Sequence, residues 1–501
     1  MNIAFRTDAT LQIGTGHFMR CLTLADELKK QGAQLCFVSR NLPNHLRDML
    51  VAKGMELVSL ANTASATPID DLAHSAWLGI SQAQDAQDTI QALAEQSWDW
   101  LIVDHYALDA RWESTMRETA KRIMVIDDIA DRQHDCELLL DQNYYANMQT
   151  RYSGKVPTHC QLFLGPRYAL LREEFRRLRE QIKPRTGKVK RLLVFFGGVD
   201  ADNYTGLAIR ALANMAIEKV HVDVVIGAQH PSRTEIEMQC TEQGFVCHVQ
   251  TDKMAELMSA SDLAIGAGGT AIWERCCLGL PAISLCVAEN QRKQVIDAAE
   301  AGLLYAPANN NNILDLIHNH TNGLLENPAL LKLISNAEMN AVDGKGVLRI
   351  INAMGISGIE IRQANGLDAQ QLFEWRNHPT IRAVSRNNAP ILWQDHQNWL
   401  TVVLSDQNRE LLIGLNDNKP IGVVRFDKEG YSAEVSIYLV PDGGLEGQGR
   451  NLLTSAEQWL KVNRPDIKNI RATVLNVNVV SKKLFLGANY RKHTNCYQKD
   501  L

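Results

Sequence analysis

Residues 1–40 read MNIAFRTDATLQIGTGHFMRCLTLADELKKQGAQLCFVSR, and this stretch decides the fold class. MNIAF is an apolar run of strand length. It enters a Gly14-Thr15-Gly16 turn, after which apolar residues at helical spacing include Met19, Leu22, Leu24 and Ala25. A second apolar run, AQLCFVSR, follows the helix. Strand, helix, strand is the parallel βαβ unit, because parallel neighbours need a long crossover between them. The rhythm recurs in WLIVDHYAL at 100–108 and RIMVIDDIA at 122–130. It restarts in KRLLVFFGG (190–198), HVDVVIGA (221–228), GFVCHVQ (244–250), DLAIGAGG (262–269) and PAISLCV (281–287). Between the two series, LREEFRRLREQIKPRTGKVK at 171–190 reads as a solvated helix plus a linker.

The third zone has a different rhythm. IEIRQAN is a strand, DAQQLFEWRNHPTIR one helix and WQDHQNWLTVVL another. ELLIGL, PIGVVRFD and AEVSIYLV then follow as strands joined by hairpin-sized connections. A helix at about 449–461, a strand IRATVL, a helix VVSKKLFLGA and a final strand YRKHTNCYQ complete a mixed, mostly antiparallel sheet. The expected organisation is α/β domains at 1–180 and 181–340, a Gly-punctuated linker at 341–356, and an α+β domain at 357–501.

Composition narrows the function. In 501 residues, 52 Lys and Arg stand against 57 Asp and Glu, a formal net charge of −5. That excludes a chain that coats nucleic acid through a broad basic surface, while leaving room for one basic pocket. The 10 cysteines show no CxxC or Cys/His zinc spacing, which is a reduced, cytoplasmic pattern. No apolar run of about 18 residues is present, so no membrane span is expected. No carboxylate cluster calls for a metal.

The candidate residues follow from the turns. Gly14 and Gly16 let backbone approach a ligand, and His17 stands on the first helical turn as an imidazole able to act as a general base. Asp104 closes the WLIVD strand, where open parallel sheets place ligands. It would orient His17 or grip sugar hydroxyls. Gly268, Gly269 and Thr270 end a strand and open a helix, an arrangement suited to phosphate, and Glu274 stands one turn on to meet ribose hydroxyls. Gly197 forms a similar turn. In the third zone Gly447, Gln448, Gly449 and Arg450 open a helix as a cradle for pyrophosphate.

The blocks RTDATLQIGTGHFMRCLTLA, LIVDHYALD, VIDDIADRQHDCELLLDQN, GPRYALLREEF, FFGG and GAGGTAIWERCCLGLP resemble, in order, a family of UDP-2,4-diacetamido-2,4,6-trideoxy-β-L-altropyranose hydrolases of pseudaminic acid biosynthesis, over about 1–340. The resemblance implies a pair of domains like those of GT-B glycosyltransferases. It also implies UDP-linked amino sugars as substrates, His17 as the catalytic residue, and inverting, metal-independent hydrolysis. Asn290 and Gln291 would lie near the nucleotide. Residues 357–501 resemble the GNAT acetyltransferases, which implies acetyl-CoA as cosubstrate. Trp375-Arg376-Asn377 matches the subgroup acting on amino-sugar nucleotides and protein N-termini, with Arg376 as a substrate contact. Asn478 and Ser481 would join the cofactor site, Glu434 would be the base, and Tyr490 is carried as a catalytic candidate. Gly444 stands where that family has Gln or Arg, and Phe485 where many members have a thiolate-protonating Tyr.

Together the two resemblances imply consecutive steps of one pathway, a cytoplasmic route feeding flagellin glycosylation or surface polysaccharide. No nucleic-acid or membrane partner is implied, and association with other enzymes of the pathway is left open. The alternative is a UDP-sugar glycosyltransferase or hydrolase fused to an acetyltransferase for another substrate, such as a protein N-terminus.

Overall fold

The computed structural model describes all residues except 11, 62–69, 186–187, 216, 218, 309–311, 357–358, 386, 417–418, 442–447, 476–477, 489, 494–495 and 501, and it leaves out the side chain of Asn290. The chain divides into two compact units, one of Met1–Lys29 and Ala33–Ile350 and the other of Lys30–Gly32 and Ile351–Leu501.

The first unit holds two all-parallel sheets. The first is built from β1 (Asn2–Thr7), β2 (Gln34–Ser39), β3 (Glu56–Ser59), β4 (Trp100–Asp104), β5 (Ile123–Ile126), β6 (Leu138–Asp141) and β7 (Gln161–Leu164), in the order β3-β2-β1-β4-β5-β6-β7. The second contains β8 (Arg191–Phe195), β9 (His221–Ile226), β10 (Val246–Val249), β11 (Leu263–Ala267) and β12 (Ala282–Leu285), in the order β10-β9-β8-β11-β12. Helices cover both faces, so strands such as β4 and β5 are buried along their whole length and read as continuous apolar runs. Each sheet has a point where the strand order reverses, between β1 and β4 in the first and between β8 and β11 in the second. Crevices at such points, outside the carboxyl ends of the strands, are where these sheets bind ligands.

The second unit is a mixed sheet of β13 (Glu360–Gln363), β14 (Arg409–Asn416), β15 (Lys419–Glu429), β16 (Ser432–Leu439), β17 (Asn469–Ala472), β18 (Arg491–Lys492) and β19 (Tyr497–Asp500), ordered β13-β14-β15-β16-β17-β19-β18. All pairings are antiparallel except β16 with β17. Leu452, Leu453, Ala456 and Leu460 of the helix Gln448–Asn463 pack on one face. Leu372, Leu400 and Val403 pack on the other. This is two parallel-sheet α/β domains followed by a mixed-sheet α+β domain, the architecture the sequence predicts.

Several elements differ from expectation. DAQQLFEWRNHPTIR forms two helices, Ala369–Asn377 and Pro379–Ala383, because Pro379 holds His378 at φ −61°, ψ 138° and breaks the helical run. The last strand is a short hairpin pair, β18 with β19. The stretch expected as a linker at 341–356 carries the helix Gly346–Ala353, and Val347, Ile350, Ile351 and Met354 are buried. The basic stretch at 171–190 is also more than a solvated connection. Phe175 is fully buried in the core beneath the second sheet. The Arg185 guanidinium donates to the carbonyls of Met258, Ser259, Ser261 and Leu278. Among the described residues no helix is long and apolar enough to cross a membrane.

Two buried charge clusters fix the loops at the first sheet's ligand edge. In one, Arg6 bridges Asp8 (3.0 Å) and Asp85 (2.7 Å), and Arg40 meets Asp85 at 3.0 Å. In the other, His134 Nδ1 lies 2.8 Å from Glu113. Burial alone would lower the His134 pKa, but Glu113 and Asp127 outweigh it and push it up to about 9. A histidine raised from 6.5 stabilises the fold fully below that value and loses its contribution as pH rises through about 9. The advantage of the native chain over His134→Gln is therefore largest at pH 6 and shrinks above pH 9 by on the order of 3 kcal/mol. Denaturant unfolding at several pH values measures this, and a pH-independent difference would show that folding does not shift the His134 pKa.

Candidate active sites

The loop after β1 turns at Gly14, whose φ of +76° suits glycine, and the helix Gly16–Lys30 begins two residues later. An added Cβ at Gly14 or Gly16 would meet nothing within 4 Å, so both face open space. His17 is 8% exposed on the first turn. Thr7 pairs in register with Asp104, which brings the β1 exit loop and the end of β4 to one edge.

There His17 Nδ1 lies 2.5 Å from Asp104 Oδ1. Arg20, one turn along the same helix, donates to Asp104 Oδ2 from Nε (2.6 Å) and to Oδ1 from Nη2 (2.7 Å). Its Nη1 donates to Asp128 at 2.5 Å, and the Tyr106 hydroxyl donates to the same oxygen at 2.8 Å. Burial alone would raise the Asp104 carboxyl, but Arg20 and His17 outweigh it and hold it well below the usual carboxylate range. An ionised carboxylate only accepts hydrogen bonds, so Nδ1 carries a proton toward Asp104, and Nε2 is the ring nitrogen not engaged by that pair. Asp104 is 1% exposed with both oxygens engaged. Of the two roles expected for it, the enclosed carboxylate fits orienting His17 rather than gripping sugar hydroxyls.

Arg20 and Tyr106 are neighbours of His17 that the sequence did not single out, whereas Asp128 belongs to the Asp127-Asp128 pair at a strand end, where a carboxylate able to orient His17 is expected. Their signal was present. Arg20 lies three residues after His17, on the same helix face, and Asp128 and Tyr106 follow the ends of adjacent strands β5 and β4. Beside them Trp77 stacks on Tyr106 with centroids 5.5 Å apart, and the His17 ring meets Tyr106 edge-on at 4.5 Å.

In the second sheet, Gly197 (φ +104°) follows β8, and an added Cβ there would meet nothing within 4 Å. Gly268 has a different reason to be glycine. A Cβ there would strike Val295 Cγ2 at 2.4 Å, so packing of the helix Glu289–Glu300 requires it. Gly269 lies against Gln291, 3.3 Å from the added Cβ to Nε2. Thr270 is exposed and makes no side-chain cap on the helix Ala271–Cys277. Glu274 is half-buried with Arg172 at 3.6 Å, and burial raises its carboxyl pKa despite that arginine. Asn290 lies in the helix Glu289–Glu300, and its side chain is outside the described set. The two parallel sheets are tied together by Trp273 Nε1 donating to Asn143 (2.9 Å) and the Ala146 amide donating to Asp297 (2.9 Å).

In the second unit β16 and β17 pair only over Ser432–Glu434 and Asn469–Arg471, and β16 runs on to Leu439 while β17 stops at Ala472. The strands thus part beyond Glu434. By strand alternation Glu434, Ser436 and Tyr438 share one face, on which Tyr438 packs with Trp375 and Trp399. Arg376 borders it. Its Nη2 donates to the Asn387 carbonyl (3.1 Å), and burial lowers its pKa although Tyr438 is near. Gln448, Gly449 and Arg450 form the first turn of the helix Gln448–Asn463, and Gly447 lies outside the described residues.

Two further assignments change. Asn478 caps the helix Val479–Gly487 by accepting from the Ser481 amide at 2.9 Å, so that pair has a capping role. Tyr490 is 2% exposed, packs on Phe485, and donates its hydroxyl to Glu457 at 2.7 Å. A phenol enclosed in this way cannot meet a substrate, and it is withdrawn as a catalytic group.

Residues 191–339 match the glycosyltransferase family 28 C-terminal domain. An uncharacterized protein of Methanocaldococcus jannaschii is 24% identical over 98% of this chain and 97% of its own length. The UDP-2,4-diacetamido-2,4,6-trideoxy-β-L-altropyranose hydrolase of Campylobacter jejuni is 25% identical over 60% of this chain and 97% of that protein. The acetyltransferase PseH of Campylobacter jejuni is 26% identical over 28% of this chain and 83% of that protein. The chain resembles a hydrolase fused to an acetyltransferase. It is an enzyme.

Tyr490→Phe removes one of the two partners of the buried Glu457, leaving Lys499 at 2.6 Å. It should cost about 1–3 kcal/mol in denaturant unfolding while acetyl transfer stays within about threefold of native. A much larger loss of transfer with unchanged stability would restore Tyr490 to the chemistry.

Proposed function

We propose that the chain is bifunctional. The second unit moves an acetyl group from acetyl-CoA to the 4-amino group of UDP-4-amino-4,6-dideoxy-N-acetyl-β-L-altrosamine. The first unit then hydrolyses UDP-2,4-diacetamido-2,4,6-trideoxy-β-L-altropyranose, with inversion at C1, to UDP and the free sugar. The observation that carries the hydrolase reading is the His17–Asp104 pair at the strand-order reversal, with Nδ1 held at 2.5 Å.

In this reading His17 Nε2 takes a proton from water as the oxygen bonds to C1. The C1–O bond to UDP breaks, and its electron pair leaves on the diphosphate. Asp104 stabilises the imidazolium that forms. The turns at Gly197 and Gly269–Thr270 supply backbone amides for the diphosphate, Gln291 lies beside them, and Glu274 meets the ribose.

In the second unit the gap between β16 and β17 suits the amide-bearing arm of acetyl-CoA, whose peptide-like groups pair with a strand edge. Gln448, Gly449 and Arg450 would meet its pyrophosphate. The neutral amine attacks the thioester carbonyl, Glu434 takes the amine proton, and the C–S bond breaks. Tyr438 is the phenol on that face that remains to return a proton to the thiolate. Arg376 contacts the sugar nucleotide. The free thiols among the described residues fit a cytoplasmic setting.

A second reading is favoured by the glycosyltransferase family 28 match over 191–339, with transfer to a sugar acceptor in place of water. One mass-resolved reaction separates the two. Given the 4-amino substrate and acetyl-CoA, the chain should form the diacetamido nucleotide and then UDP and free sugar. UDP release only when an acceptor is added would favour transfer. His17→Ala should stop UDP release and spare acetylation. Asp104→Asn should lower the hydrolytic kcat by about 100- to 10,000-fold, because the amide no longer fixes the tautomer or balances the imidazolium. A near-native rate for Asp104→Asn would remove His17 as base.

A further inference from the structure

The wall beside His17 is unusual in what it leaves for a ligand. Most of its polar groups are committed to one another, while Asp128 Oδ1 has no hydrogen-bond partner among the described residues. Asp104 holds His17 and Arg20, Arg20 also holds Asp128, and Tyr106 donates to Asp128. The other oxygen of Asp128 is shut off from solvent. What faces outward is aromatic. Trp77 lies on Tyr106 with centroids 5.5 Å apart and planes 22° apart, so one indole face covers the tyrosine. His74 leans on Trp77 at 4.5 Å and on Tyr106 at 5.4 Å. The His17 ring stands 6.2 Å from the indole, nearly perpendicular to it. Trp77 and His74 are both half-exposed, so the indole is not sealed in the core. An indole face of this kind takes C–H groups well, while a hydroxyl placed on it loses water and gains no partner.

We propose that Trp77, backed by Tyr106 and His74, is a specificity-determining platform for the deoxygenated, methyl-bearing face of the sugar. This rests on the hydrolase reading and adds to it a residue that selects 6-deoxy over 6-hydroxy sugars. The discrimination is bounded, because an apolar surface rejects an added hydroxyl by only about 100-fold. One carbon group in an apolar site separates substrates by about 10- to 200-fold. Trp77 is a binding residue here and takes no part in proton transfer.

The test uses the full chain and two UDP-sugars, the 2,4-diacetamido-2,4,6-trideoxy-altropyranose and its 6-hydroxy counterpart. The native chain should favour the 6-deoxy sugar in kcat/KM by about 10- to 200-fold. Trp77→Ala should reduce that preference to within about threefold, chiefly through KM, and leave the affinity for UDP alone unchanged. Trp77→Phe should retain most of the preference, which shows that the ring matters and that the fold is intact. An unchanged preference in Trp77→Ala, or an equal loss for both sugars, overturns the proposal. Calorimetric binding of both sugars to the His17→Ala chain, with and without Trp77→Ala, is measured in parallel. If the native chain cleaves neither sugar, the hydrolase reading fails, and the binding arm decides the platform separately. A 6-deoxy preference that depends on Trp77 supports it, and equal binding of the two sugars overturns it.

Discussion

A carboxylate fully enclosed at the end of β4 organises the first unit. Ionised Asp104 cannot remain in that setting without partners, because an uncompensated buried charge costs several kcal/mol. The Gly16–Lys30 helix supplies both, His17 and Arg20, one turn apart. That demand sets how the helix leaves the β1 loop, and through Arg20 it draws in Asp128 at the end of β5. The outcome is a histidine with one nitrogen committed and the other available. Beneath it, the buried Arg6, Asp8, Asp85 and Arg40 charges hold the neighbouring loops in place, with Asp8 accepting from the Arg40 and Asn41 amides.

The second sheet repeats the geometry with another chemistry. Its strand-order reversal gathers glycine turns, and beside them His230 lies 3.3 Å from Asp200. Some of those glycines serve the protein itself. A Cβ at Gly266 would meet the Phe195 carbonyl at 2.3 Å, and one at Gly227 the Gly198 carbonyl at 2.1 Å, so close strand and loop packing excludes side chains there. Gly197 and Gly198 instead border open space. Under the proposed function the labour divides, with proton handling at the edge of one sheet and the diphosphate at the edge of the other. The Trp273–Asn143 hydrogen bond, at 2.9 Å, joins the two sheets.

The acetyltransferase-like unit shows how a local pattern can mislead. Tyr490 carries a phenol at a plausible distance along the sequence, yet Glu457 and Phe485 enclose it. Asn478 and Ser481 look like ligand-facing polar residues, yet the turn between them is a helix cap. Each is a short-range polar residue whose partner comes from packing or from its own backbone. The face of β16 that carries Glu434, Ser436 and Tyr438 follows from simple alternation, and there the pattern and the packing agree.

The sequence alone determined the two parallel sheets and the mixed third sheet, and it marked the turns where chemistry is proposed. Apolar runs, glycine turns and helical spacing are local features, and they report directly on strands, turns and helices. The break at Pro379 was legible in principle too, since the residue before proline avoids helix. Only the tertiary structure decided which polar groups are turned toward a ligand and which are absorbed by neighbours. Asp104 became a support for His17 because Arg20 and His17 converge on it from the Gly16–Lys30 helix. Gly268 proved to be a packing residue because Val295, far along the chain, occupies the space a side chain would need. The reason is physical. Strand and helix propensities act over a few residues, whereas burial and pairing of charge depend on what the fold brings alongside.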